Sequence, residues 1–156
     1  RSRDLAQLKN FSMTLVDVTD WAPHTHCVPT ALAAISGKSI PEVMAAINVQ
    51  AAALGMEAFS QFEGIPPKCW LKALPSLGIS DRADTGHEGL SIEELFERSF
   101  SPDPMLVLTS HKEMGVSHVF AAQEGFVVDT YTEGKITNFS EVPSDMKGFK
   151  VLAEIF

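Results

Sequence analysis

Two cysteines in 156 residues are too few for a disulfide framework, so this chain must stand on a hydrophobic core. Cations are scarce as well. Lys and Arg number 12 against 20 Asp and Glu, a net charge of −8, and they form no block. That balance argues against nucleic acid as a partner, because phosphate binding needs clustered positive charge. No apolar run approaches the roughly 18–20 residues of a membrane span, and no signal-peptide pattern opens the chain. Beginning at Arg1, it reads as a processed product or as a piece of something larger. What is present is ordinary for a globular protein: 45% hydrophobic and 21% charged residues, with a length that fits one domain over 1–156.

Glycine and proline punctuate the chain into an α-rich first half and a β-rich second half. FSMTLVDV, residues 11–18, places Phe11, Met13, Leu15 and Asp17 on one side and reads as a weak strand. Pro29 is tolerated only in a first helical turn, so a helix is predicted from Cys27 or Val28 to Ser36, with Gly37 as its left-handed stop. Ser39 and Glu42 form a capping box for a second helix, with Val43, Ala46, Ile47 and Leu54 on its apolar face. A third helix carries Trp70, Leu71, Leu74 and Leu77 as core and is interrupted at Pro75. Ser91 and Glu94 cap a fourth, whose Glu93, Glu94 and Glu97, with Glu88 just before it, read as a solvated face. Then the period changes to that of strands: MLVLTS, SHVFAAQE, GFVVDTYT and FKVLAEIF, with a hairpin turn at Glu124–Gly125. Helices first and sheet second gives an α+β fold, a helical lobe over about 20–100 packed on an antiparallel sheet over about 104–156.

Cys27 at a helix start is the chemically informative residue. Unsatisfied N–H groups and the positive dipole end lower a thiol pKa, and a nearby imidazole lowers it further. Of five histidines, His118 opens a strand whose hairpin partner brings Asp129 close to it. A carboxylate there would orient the ring, the third role in a nucleophile–base–orienter triad.

The order Cys, His, Asp resembles the papain-like cysteine peptidase superfamily. HCVPTALAAISGKSIPEVMAAI is similar to the nucleophile helix and following helix of compact bacterial, phage or viral members, and SHVFAAQEGFVVDTYTEG to their His–Asp hairpin. The two stretches cover roughly a third of the chain. The resemblance implies a thiol hydrolase with Cys27 as nucleophile, His118 as general base and acid, and Asp129 as orienter. It implies a protein or peptide substrate and no cofactor or metal. The family's Gln or Asn oxyanion donor, about six residues before the cysteine, is here Trp21. Thr25, His24 and Asn10 are rival donors beside the Cys27 backbone N–H.

Other readings attach to the same residues. Cys69 is a rival nucleophile, and a Cys27–Cys69 disulfide would abolish thiol chemistry. His24, His26 and Cys27, completed by His87 or His111, would suit zinc or copper; otherwise His24 and His26 form a polar rim. A catalytically silent domain binding a protein partner, or an acyltransferase using the same triad, would also fit. A free thiolate suits a reducing compartment or a virion better than secretion. Substrate walls are expected from residues 55–66 and 109–117.

Overall fold

A computed structural model describes residues 12–98 and 102–156. It is an α+β architecture of four α-helices and one antiparallel sheet. The helices are α1 (Cys27–Ser36), α2 (Ile40–Ala53), α3 (Pro67–Ala73) and α4 (Ile92–Arg98). The strands are β1 (Ala83–Asp84), β2 (Met105–His111), β3 (Val116–Gln123), β4 (Phe126–Val128), β5 (Thr137–Asn138) and β6 (Lys150–Ile155), arranged β1-β6-β2-β3-β4-β5. None of the described helices is long and apolar enough to cross a membrane.

Local signals place the helix ends. Gly37 closes α1 at φ 74°, its N–H donating to Ala33 O. Ser39 Oγ accepts from the Glu42 N–H while Glu42 accepts from the Ser39 N–H, the reciprocal capping box. Ser91 and Glu94 repeat it at α4. The third helix breaks where Pro75 removes a donor: α3 stops at Ala73, and Pro75–Leu77 continues as a 3-10 turn. Leu54 falls off the apolar face because α2 has already ended there, and it is 38% exposed. At the β3–β4 hairpin, Glu124 (φ 53°) and Gly125 (φ 82°) sit between paired Gln123 and Phe126, the left-handed two-residue turn that matches strand twist.

The sheet has apolar residues on both faces. Leu106, Val119, Ala121 and Val128 join the core made by α1, α2 and α3. Val107, Phe120, Ala122 and Val127 pack under α4 and the irregular segment that supplies Phe139, Met146 and Phe149. Ala31, Ala33 and Ala34 of α1 are buried, and their small side chains let the helix lie directly on β3.

Residues 12–18 do not form the expected strand, and Phe11 lies outside the described residues. Their N–H groups find other acceptors. Thr14 and Leu15 donate to Gln123 Oε1, Val16 to Ala34 O and Val18 to Gly134 O at 2.7 Å. Leu15 and Val18 are buried while Asp17 is exposed, so burial departs from the two-residue alternation that suggested a strand. Asp17 accepts from the Ile136 N–H, and Asp20 accepts from the Ile40 N–H that opens α2. This segment carries the chain into the turn before Cys27 and is stitched to α1, α2 and the sheet.

The tightest of these approaches is at Gly134, where φ is 77° and a Cβ would stand 2.9 Å from Val18 O and 3.1 Å from Trp21 Cβ. Gly134→Ala is expected to cost about 2 kcal/mol, from left-handed strain plus overpacking. Gly55→Ala, at φ 73° with open space around it, should cost about half as much. Urea denaturation midpoints of the two variants measure the difference.

Candidate active site

Cys27 occupies the first turn of α1, at 6% exposure. Its N–H, at the first helical position, has no intrahelical acceptor and points with the dipole toward the helix start. Pro29 costs nothing here because a first-turn N–H would be unpaired anyway. The residue before, His26, is the N-cap, in extended conformation. Its carbonyl accepts from Thr30 Oγ1 at 2.9 Å.

β3 delivers His118, and Asp129 follows the last residue of β4. Asp129 is fully buried, and both its carboxylate oxygens lie 2.8 Å from His118 Nε2. Its backbone is held by Thr132, whose Oγ1 accepts from the Asp129 N–H at 3.0 Å and donates to Asp129 O at 3.1 Å. Aromatic rings box the imidazole: Phe149 at 5.2 Å, Tyr131 at 5.5 Å edge-on and Phe120 at 6.5 Å. With Nε2 engaged by the carboxylate, Nδ1 is the nitrogen that remains for the Cys27 thiol.

The electrostatics follow from this geometry. Burial disfavours a thiolate at Cys27, but hydrogen bonds from His118 and His26, the His118 charge and the Val119 N–H outweigh it and bring the pKa to about 6. Burial likewise disfavours an imidazolium at His118. The Asp129 charge and hydrogen bond, with the Cys27 thiolate, override it and raise the pKa to about 10. Thiolate and imidazolium are therefore the resting state over the neutral range, the form in which a thiol is a nucleophile.

Two cavities flank Cys27, and His26, Ser117 and His118 line both. One, of about 240 Å³, is walled by Val28, Ile65, Pro67, Trp70, Leu108 and Val119. The other, of about 300 Å³, is walled by Thr25, Met114, Val116, Thr130, Tyr131 and Phe149. The 55–66 segment contributes Gly64 and Ile65 to these walls, and the 109–117 segment Met114, Val116 and Ser117. Apart from Cys27 and the histidines, neither cavity is lined by a charged side chain.

The expected oxyanion donors are placed otherwise. Trp21 lines neither cavity; it packs into the core beside Gly134, and its buried Nε1 has no partner among the described residues. The Thr25 hydroxyl donates to Ala22 O at 2.7 Å and accepts from the Ala22 N–H and from Gln61 Nε2, so it braces the turn. His24 is exposed at φ 72°. Asn10 lies outside the described residues. Of the donors expected from sequence, the Cys27 N–H is the one at the sulfur with no helical acceptor.

Cys69 is buried in α3, free, and its thiol donates to Ile47 O at 3.4 Å; burial raises its pKa. No disulfide joins it to Cys27. His87 pairs with Glu154 and His111 packs on Phe149, and neither lines the cavities beside Cys27. Among the described residues no three His, Cys, Asp or Glu converge as metal ligands. Sequence reasoning missed Gln61 and named His26 only as part of a polar rim or a metal site. Gln61 ties down the turn through Thr25 and through its carbonyl, which accepts from the His26 N–H at 2.7 Å. His26 places Nδ1 3.5 Å from Cys27 Sγ. Adjacency to Cys27 was the signal for His26; for Gln61 no neighbouring residue gave one, since its partners lie more than thirty positions away.

The pair has a signature in folding stability. Between about pH 6.5 and 9 the folded pair keeps its proton on His118, whereas the unfolded chain keeps one on Cys27, whose ordinary pKa is 9.0 against 6.5 for His. Proton counts match, so the pair leaves stability flat across that window. Cys27→Ala removes the compensation. The His118 contribution, complete below its unfolded value of 6.5, is then lost as pH rises toward its still-raised folded value. Relative to the parent, the variant should lose up to about 1.4 kcal/mol per pH unit above pH 7 in chemical denaturation.

Compared with known proteins, the chain matches no family model, no curated protein and no solved structure.

Proposed function

We propose that this protein is a papain-like thiol hydrolase that cleaves a peptide or isopeptide bond. The observation carrying the reading is the convergence of Cys27, at the start of a buried helix, with a His118 imidazole fixed by a fully buried Asp129.

The Cys27 thiolate attacks the substrate carbonyl carbon, forming the C–S bond and moving the carbonyl electron pair onto oxygen. The Cys27 N–H at the helix start stabilises that charge. His118 gives its proton to the leaving nitrogen as the C–N bond breaks, which leaves a thioester on Cys27 and a free amine. Water then enters, His118 takes its proton, and the C–S bond breaks to release the carboxylic acid and restore the thiolate. Asp129 holds the ring plane and the Nε2–H throughout and stabilises the imidazolium. The uncharged walls beside Cys27 suit apolar or small neutral residues flanking the scissile bond.

Cleavage of a diverse peptide library, mapped by mass spectrometry, tests this directly. Cys27→Ala is expected to abolish cleavage, His118→Ala to lower kcat by about 10³-fold or more, and cut sites to avoid charged residues next to the bond. Persistent cleavage by Cys27→Ala would sink the assignment. Adding an amine acceptor separates hydrolysis, which yields the acid, from acyl transfer, which yields a new amide.

A further inference from the structure

His26 is a second imidazole that meets the nucleophile. Its Nδ1 lies 3.5 Å from Cys27 Sγ, and its half-buried ring lines both cavities. The backbone that carries the ring is held on both sides. The His26 backbone N–H donates to Gln61 O at 2.7 Å, its carbonyl accepts from Thr30 Oγ1, and the ring lies against Gly64, where a Cβ would stand 3.7 Å from both Cε1 and Nε2. A turn braced by Thr25 and Gln61 therefore presents an imidazole edge to the sulfur, although His26 makes no side-chain cap to α1.

We propose that His26 is a second catalytic imidazole, whose Nδ1–H donates to the Cys27 thiolate and holds its charge until attack on substrate. This rests on the thiol-hydrolase reading above. Asp129 makes no bond to His26, so the two imidazoles have separate tasks: His118 carries the proton to the leaving nitrogen, and His26 moves none. Either the neutral Nδ1–H tautomer or the imidazolium can donate, so the contact requires no second positive charge beside His118. When Sγ becomes acylated the acceptor charge disappears and the contact weakens, so His26 stabilises the nucleophile and not the acyl-enzyme.

The titrating groups around the ring are few. Cys27 raises the His26 pKa, against burial and against the opposing charge of His118. Tyr131 shares the second cavity, and Glu63, on the loop that carries Gly64, is bonded to the Ser60 N–H.

The test is the pH dependence of Cys27 alkylation by iodoacetamide, read by intact mass, in wild type, His26→Ala, His26→Asn and His118→Ala. Wild type should show a midpoint near 6. His26→Ala should raise that midpoint by about one pH unit, an approximately tenfold slower labelling at pH 5. His26→Asn, whose amide nitrogen can stand close to the position of Nδ1, should recover most of the loss. His26→Ala labelling that superimposes on wild type would overturn the proposal while leaving the His118 pair intact. Wild-type labelling no faster than a free thiol at pH 6 would instead remove the underlying thiolate reading. Should His26→Ala fail to fold, NMR titration of the His26 ring in wild type and Cys27→Ala decides. A lower His26 midpoint in Cys27→Ala supports the contact, and an unchanged one overturns it.

Discussion

A carboxylate with no solvent exposure, both oxygens 2.8 Å from one imidazole nitrogen, sets the charge and geometry around Cys27. Removed from water, Asp129 has no comparable partner among the described residues other than His118, so the ring is held charged and fixed in orientation. A fixed imidazolium beside a buried sulfur then makes the thiolate the favoured form of Cys27 despite burial. The surrounding architecture serves that arrangement. Thr132 clamps the Asp129 backbone, and Phe149, Tyr131 and Phe120 exclude water from the ring.

A second pair of the same chemistry shows why the pair alone does not make a site. His87 Nδ1 lies 2.6 Å from Glu154 Oε1, and Glu154 is as buried as Asp129. Glu154 stands on β6, paired with Asp84 and Val107, and no cysteine accompanies it. The same two groups there tie a loop to a strand. At His118 the difference is α1, whose start brings a thiol and an unpaired N–H to the imidazole.

Placing that helix start is the task of residues 12–26, the least regular part of the described chain. Hydrogen bonds to Gln123, Ala34, Gly134, Ile136 and Ile40 anchor it to the sheet and to two helices. Gln61 then fixes the final turn through Thr25 and His26. Because the two cavities share His26, Cys27, Ser117 and His118, a shift of this turn would change both at once.

The elements that could be read from sequence are those made by neighbours along the chain. The α1 boundaries follow from Pro29 and Gly37, the two capping boxes from Ser39–Glu42 and Ser91–Glu94, and the β3–β4 turn from Glu124–Gly125; each is settled within a few residues. The His118–Asp129 pairing was legible for the same reason, since one hairpin carries both. Tertiary structure decided what depended on distant partners. Residues 12–18 alternate like a strand, but their donors go to a side chain and carbonyls far along the chain. β6 lies between β1 and β2, and the short β1 and β5 exist only by pairing. Trp21 and Thr25 have the right chemistry for an oxyanion donor, yet packing turns one into the core and a turn consumes the hydroxyl of the other. Local sequence thus determined which groups could react, and long-range packing decided which of them face the sulfur, because direction in space depends on contacts that no short stretch of sequence contains.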